Sequence, residues 1–200
     1  MIKTELILAS ASPRRAEILQ QIGVDFRIAS SDIDETPMLQ ESAFDYVQRM
    51  AKEKAQHVIN SIADSSAVVL GADTTVVLDS KIYGKPKNQE EGLAMLMALS
   101  GNTHQVLTAV AVGNKQQCLL RLSSTDVKFR DLDFKECTAY WHTGEPNDKA
   151  GGYAIQGLGA VFVEKISGSF SGVVGLPIDQ TAQLLKIFDV PIWGNIYKNK

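Results

Sequence analysis

Two adjacent arginines close the stretch LILASASPRR, which gathers Ser10, Ser12, Arg14 and Arg15 within six positions. A short apolar run gives way there to a helix, with Ser12 at the cap and Pro13 at the first position, where proline's missing N–H costs nothing. A helix N-terminus presents unpaired N–H groups and partial positive charge, so it favours an anion. Arg14 and Arg15 add guanidinium forks that match phosphate or carboxylate oxygens, and Ser10 adds a hydroxyl. The bland alternative is a pair of surface arginines.

Further along, single residues give weaker signals of the same kind. Lys54 falls at the edge of an apolar helical stripe, either snorkelling over the core or reaching into a cleft as a point charge. The run AVVLGAD delivers Asp73 to the carboxyl end of a buried strand, where ligand crevices of open α/β sheets lie; a local turn contact is the alternative. Lys85 begins a loop soon afterwards. Asp32, Asp34 and Glu35 form an acidic loop, most simply solvated. Glu35 with Asp73 would nevertheless meet the needs of a hard divalent cation, which takes one or two carboxylates and keeps water. Four cations, two carboxylates and a helix N-terminus together describe a site for a metal-bound polyphosphate.

Other chemistries find no footing. No P-loop is present, and no G-x-G-x-x-G follows a strand. GSFSG places Phe170 where a hydrolase nucleophile would stand. His57, His104 and His142 have no metal spacing. Cys118 and Cys137 are far apart and read as reduced thiols of a cytoplasmic protein.

The elements that must position these groups follow from the pattern. The chain has 200 residues, 44% hydrophobic, with a formal net charge of −3, and reads as a single domain over 1–200. That charge argues against nucleic-acid and membrane-surface partners, so any basic site is a local cluster. No apolar run approaches the ~18 residues of a membrane span, and the first residues do not form a signal peptide. Strands are expected at 6–9 and 26–29, and at 67–72 and 75–78 with Asp73 and Thr74 between them. Helices are expected at 13–22 (stopping at Gly23), 42–62, 88–99, 133–144 and 177–188. The 42–62 helix carries the stripe Phe44, Val47, Ala51, Ala55, Val58 and Ile62. Residues 105–112 and 119–130 read as a hairpin across GNKQ, and 161–166 as a last strand. SSDIDETPMLQ and SGSFSGVVGLP read as loops, and the tail after Pro191 as loosely held. Strands alternating with helices, plus a central hairpin, make an α/β fold on a mixed sheet. Leu96, Met97 and the Tyr140–Trp141 pair read as core. Gly151, Gly152, Gly157 and Gly159 would permit a mobile loop.

ASASPRR with AEIL, the DIDET loop, AKEKA, LGADTTV, GKP, LSGNTH and AGGYAIQGLG through VVGLP resemble the Maf family of nucleotide pyrophosphatases, in order and spacing, from Leu6 to about Leu185. The resemblance implies an elongated mixed sheet flanked by helices, similar to the inosine-triphosphate pyrophosphatases, with two lobes around a cleft. It implies hydrolysis of nucleoside triphosphates to the monophosphate and pyrophosphate with a divalent cation, Mg²⁺ or Mn²⁺. Arg14, Thr74 and Gln156 stand where the family's dTTP/UTP branch carries these residue types. By the same resemblance Asp73 is the base, Glu35 shares the metal, and Ser10, Arg14, Arg15, Lys54 and Lys85 hold the phosphates. Gln156 and Thr74 would read the base and ribose region. The role implied is cleaning of the nucleotide pool, modified pyrimidine nucleotides included, and family relatives include homodimers. A different class of reading, a nucleotide-binding regulator of septum formation, would keep the cations but has no use for a water-activating carboxylate.

Overall fold

The computed structural model describes residues 4–64 and 66–194. In chain order the elements are β1 (Leu6–Leu8), α1 (Pro13–Gln21), β2 (Phe26–Ile28), α2 (Ala43–Ser61), β3 (Val68–Leu78), β4 (Lys81–Tyr83), α3 (Gln89–Leu99), β5 (Thr103–Gly113), β6 (Cys118–Phe129), α4 (Phe134–Trp141), β7 (Val163–Ser167), α5 (Phe170–Val174) and α6 (Ile178–Ile187). Short 3₁₀ turns fill the passage from Glu145 to Phe162. The strands form one seven-stranded sheet in the order β2-β1-β3-β5-β6-β7, with β4 on the edge of β3. β1 runs parallel to β2 and β3, and the other pairings are antiparallel, so the sheet is mixed as expected.

Apolar residues cover both faces, as a central strand requires. Leu6, Leu8, Leu70 and Val110 face one layer with residues of α1, α3, α4 and α6. Ile7, Val69, Leu107 and Ala109 face the other, where α2 contributes Val47, Ala51, Ala55 and Val58. On that second face α2 comes unusually close. A Cβ on Gly71 would sit 2.4 Å from the Ala51 carbonyl oxygen and 2.6 Å from the Ala55 nitrogen. Glycine in the strand and alanines on the helix are therefore the condition for this approach.

β3 decides where the site lies. Its parallel pairing with β1 covers Val68 to Leu70, and its hairpin pairing with β4 covers Val76 to Leu78. β5 lines its other edge throughout. Residues 71–75 thus have a strand neighbour on one side only, and the interruption opens a cleft between two lobes.

Several expectations are corrected. Asp73 and Thr74 do not separate two strands; they lie in the middle of one 11-residue strand. Ser12 stands at the α1 N-cap without capping it through its side chain. Phe44 is 42% exposed, while Ala43, Met50 and Ile59 complete the buried stripe of α2. The segment read as a loop after Ser167 holds α5, capped by Ser169. Met97 is exposed, whereas Leu96 and Tyr140 are buried. Of the tail after Pro191, residues 195–200 lie outside the described residues. Among the described residues no helix is long and apolar enough to cross a membrane.

Candidate active site

The interruption in the edge of β3 forms the floor of a cavity of about 800 Å³ whose lining includes Asp73, Thr74, Thr75 and Val76. The residues to which the family resemblance gave a site role reach it: Ser10, Arg14 and Arg15 from the β1–α1 junction, Glu35 from the acidic loop, Lys54 from α2, and Lys85 and Gln156 from the opposite lobe; Asp32 and Asp34 are not in the lining. Lys87 and Lys149 join the lining and were not foreseen. Six cations then face three carboxylates, Glu35, Asp73 and Asp148, in a chain whose formal net charge is −3. The cavity is a local basic site in an acidic protein, suited to a polyanion.

At its centre are Lys54 and two carboxylates. β3 alternates its side chains, so Asp73 shares the α2 face with Gly71. The close contact at Gly71 brings Lys54 over the strand. The Lys54 Nζ lies 2.7 Å from Asp73 Oδ1 and 2.7 Å from Glu35 Oε1. Asp73 is 7% exposed and Lys54 8%. Burial pushes the Asp73 carboxyl above its ordinary value, against the attraction of Lys54 and Arg15. Glu35 is less enclosed, and there the opposing pull wins. Burial raises it, but the Lys54 hydrogen bond and the charges of Lys54, Lys85 and Arg15 hold it below the usual range. One ammonium therefore serves two carboxylates shifted in opposite directions by their different exposure.

The loop carrying Glu35 is tied down by groups that local sequence did not single out. Tyr46 donates to the Glu35 carbonyl at 3.0 Å. Arg49 grips Glu41 through two bonds of 2.6 and 2.7 Å and donates to the Thr36 carbonyl at 3.1 Å. Burial, with Asp73 and Glu35 nearby, pushes the Tyr46 hydroxyl up to about 12, so it stays a donor.

Arg15 is more committed than a free phosphate clamp. It donates from Nε to the Gly175 carbonyl at 2.9 Å, from Nη1 to Ser10 Oγ at 3.1 Å and from Nη2 to Thr74 Oγ1 at 3.3 Å. Thr108 in turn gives its hydroxyl to the Gly172 carbonyl at 2.7 Å, so the 3.0 Å contact between Thr74 and Thr108 runs from Thr74 to Thr108. This directed chain ties the end of β1, the middle of β3 and α5 together. Burial lowers the Arg15 pKa, with Asp73 resisting. Ser10 accepts from the Ser12 N–H at 3.2 Å and from Arg15, which leaves its own proton to a ligand. Arg14 is freer, 3.9 Å from Asp148 across the mouth of the cleft. Lys85 is exposed on the rim.

Among the described residues no cluster of three or more His, Cys, Asp or Glu makes a protein-only metal cage. Two carboxylates facing one cavity fit a hard cation that fills its shell with water and phosphate oxygens.

The sequence also matches known proteins. The Maf-like protein family profile matches residues 5–188. A dTTP/UTP pyrophosphatase of Saccharophagus degradans is 52% identical over 194 residues, which span 96% of this chain and 92% of that protein. A dTTP/UTP pyrophosphatase of Colwellia psychrerythraea is 52% identical over 184 residues, spanning 90% of this chain and 87% of its own. Among solved structures, the Ham1 protein of Staphylococcus aureus overlays 64% of this chain and 73% of its own at a TM-score of 0.43 and 14% identity, too loosely to carry any argument.

Proposed function

The chain belongs to the Maf family, and from that membership and the cleft together we propose that it hydrolyses dTTP and UTP to the monophosphate and pyrophosphate. The observation that carries the mechanism is a buried carboxylate, Asp73, at the floor of a cavity rich in cations. In-line attack of water on the α-phosphorus needs positioning and charge neutralisation more than a covalent partner. Asp73 orients the water and takes its proton. Its burial makes it a stronger base than an exposed aspartate, while Lys54 keeps it anionic until it acts.

Glu35 and Asp73 are the residues that would hold a divalent cation, Mg²⁺ or Mn²⁺, which when bound offsets the charge of the departing pyrophosphate. Arg14, Lys85 and the Ser10 hydroxyl bind the phosphate chain, and Arg15 adds its charge while fixing Ser10 and Thr74 in place. Thr74 and Gln156 face the nucleoside, where the Gln156 amide can pair with the carbonyl and N–H edge of a pyrimidine. We read the whole chain as one domain, working in the cytoplasm on the nucleotide pool, natural or modified, as a monomer or homodimer. A regulator of septum formation would need the cations but not the buried Asp73.

The test is product analysis on a panel of natural triphosphates with Mg²⁺ or Mn²⁺. The expected result is pyrophosphate and monophosphate from dTTP and UTP, absent in Asp73→Asn although that variant still binds nucleotide. Orthophosphate as the product, or binding without turnover by the unaltered protein, would overturn the reading.

A further inference from the structure

Gln156 projects from a glycine-rich segment whose composition suggests mobility, but the segment is clamped. Glu145 opens a 3₁₀ turn just after α4. Its Oε2 accepts from the Leu158 N–H at 2.9 Å, and its Oε1 accepts from the Gly159 N–H at 2.9 Å. The same Oε1 accepts the Tyr140 hydroxyl proton at 2.7 Å. The Tyr140 oxygen in turn accepts from the Ala154 N–H at 3.1 Å. One carboxylate and one phenol thereby fix the backbone on both sides of Gln156.

Two glycines exist to admit this clamp. A Cβ on Gly157 would lie 2.1 Å from Glu145 Oε2, and one on Gly159 would lie 2.6 Å from the Tyr140 hydroxyl. The Tyr140 ring is itself held, packed edge-on against Phe162 at 4.9 Å between centroids. Burial raises the Glu145 pKa, but the bonds from Tyr140, Gly159 and Leu158 outweigh it, so the clamp holds as an anion. Charge-assisted bonds of this kind are the stronger ones.

None of these contacts reaches Asp73, Lys54 or Glu35. We propose that Glu145, acting through Tyr140 and the backbone of 154–159, is the positioning residue that sets nucleotide selectivity by fixing where Gln156 meets the base. The inference rests on the reading that Gln156 faces the base. Selectivity of this sort depends on placing an amide within hydrogen-bond reach of one base edge and out of reach of another. Loosening the clamp therefore weakens the preference and leaves the phosphate chemistry in place.

The experiment compares kcat and KM for dTTP and CTP in Glu145→Gln, Tyr140→Phe, Gln156→Ala and the Glu145→Gln/Gln156→Ala pair. Glu145→Gln should lower the dTTP-over-CTP preference roughly ten-fold, mainly through KM for dTTP. Tyr140→Phe should move it the same way by less, and Glu145→Gln should add nothing once Gln156 is gone. General destabilisation would lower both substrates together and leave the ratio alone. A ratio unchanged by Glu145→Gln but shifted by Gln156→Ala overturns the clamp and spares the base reading. A ratio unchanged by Gln156→Ala overturns both. Should Glu145→Gln fail to fold, Tyr140→Phe, which keeps the ring in its packing, decides by the same ratio.

Discussion

The two ends of the cleft are built by different means. At the phosphate end, functional groups stand on regular elements: Arg15 in the first turn of α1, Lys54 within α2, Asp73 in mid-β3. At the base end, Gln156 stands on a turn between two 3₁₀ segments, held by Glu145 and Tyr140. The phosphate end assembles charge, which acts over distance and tolerates small displacements. The base end must place one amide against one base edge, and a loop achieves that only when its backbone bonds are fixed from outside. Charge was cheap to specify locally; the position of the amide was not.

Perturbing each end separately should keep these tasks apart. The largest effect belongs to Asp73→Asn, which keeps the shape but removes the base; turnover of dTTP should fall on the order of 10²–10⁴-fold in steady-state assays, with binding retained by calorimetry. Gly71→Ala strikes the same end through the fold. Its Cβ would meet the Ala51 carbonyl at 2.4 Å, so α2 must move away and carry Lys54 with it. Stability should drop by about 3 kcal/mol in denaturant titration, and kcat should fall while the dTTP-over-CTP ratio holds.

The base end should respond to acid. His104 is 1% exposed, shares a 2.8 Å hydrogen bond with Tyr153 and has no partner at Nδ1 among the described residues. Burial pushes its pKa down to about 4. A histidine depressed in the folded state stabilises fully above its unfolded pKa, and that contribution is lost as pH falls from about 6.5 toward about 4. Unfolding at pH 5 should therefore cost about 2 kcal/mol less than at pH 7 on this account, and His104→Gln should flatten that slope. The smallest effect is at the mouth. Asp148 sits 3.9 Å from Arg14 and is largely exposed, so Asp148→Asn should lower KM for dTTP by less than about three-fold, less still at high salt.

The order of strands and helices was legible because capping residues and apolar periodicity are local. Asn88 caps α3 and Asp133 forms a capping box on α4, each at the first residue of an expected helix. β3 was divided in the sequence because two polar residues interrupt its apolar run. The strand continues through them because Lys54 answers Asp73 and Thr108 answers Thr74. α5 was hidden because small residues that favour loops also favour a short helix when a serine caps it. At the site, Arg14 and Arg15 were legible from their place at a helix start. Lys54 and Asp73 each gave an ambiguous signal alone, and their pairing depends on Gly71 against Ala51 and Ala55, whose trace in the sequence was a glycine inside a strand. Tyr46, Arg49, Thr108 and Glu145 gave none, because each works through a partner fixed only by the fold. The glycines after Tyr153 were legible as glycines, but their cause is the space Glu145 and Tyr140 need.

The division of labour between the two ends is tested most directly by kcat/KM for dTTP and CTP in the unaltered protein, Lys54→Ala and Gln156→Ala. Lys54→Ala should depress both substrates steeply and in proportion, leaving their ratio intact, while Gln156→Ala should reduce the ratio with a far smaller loss in kcat. A ratio altered by Lys54→Ala as much as by Gln156→Ala would show that catalysis and selection are not separated in this cleft.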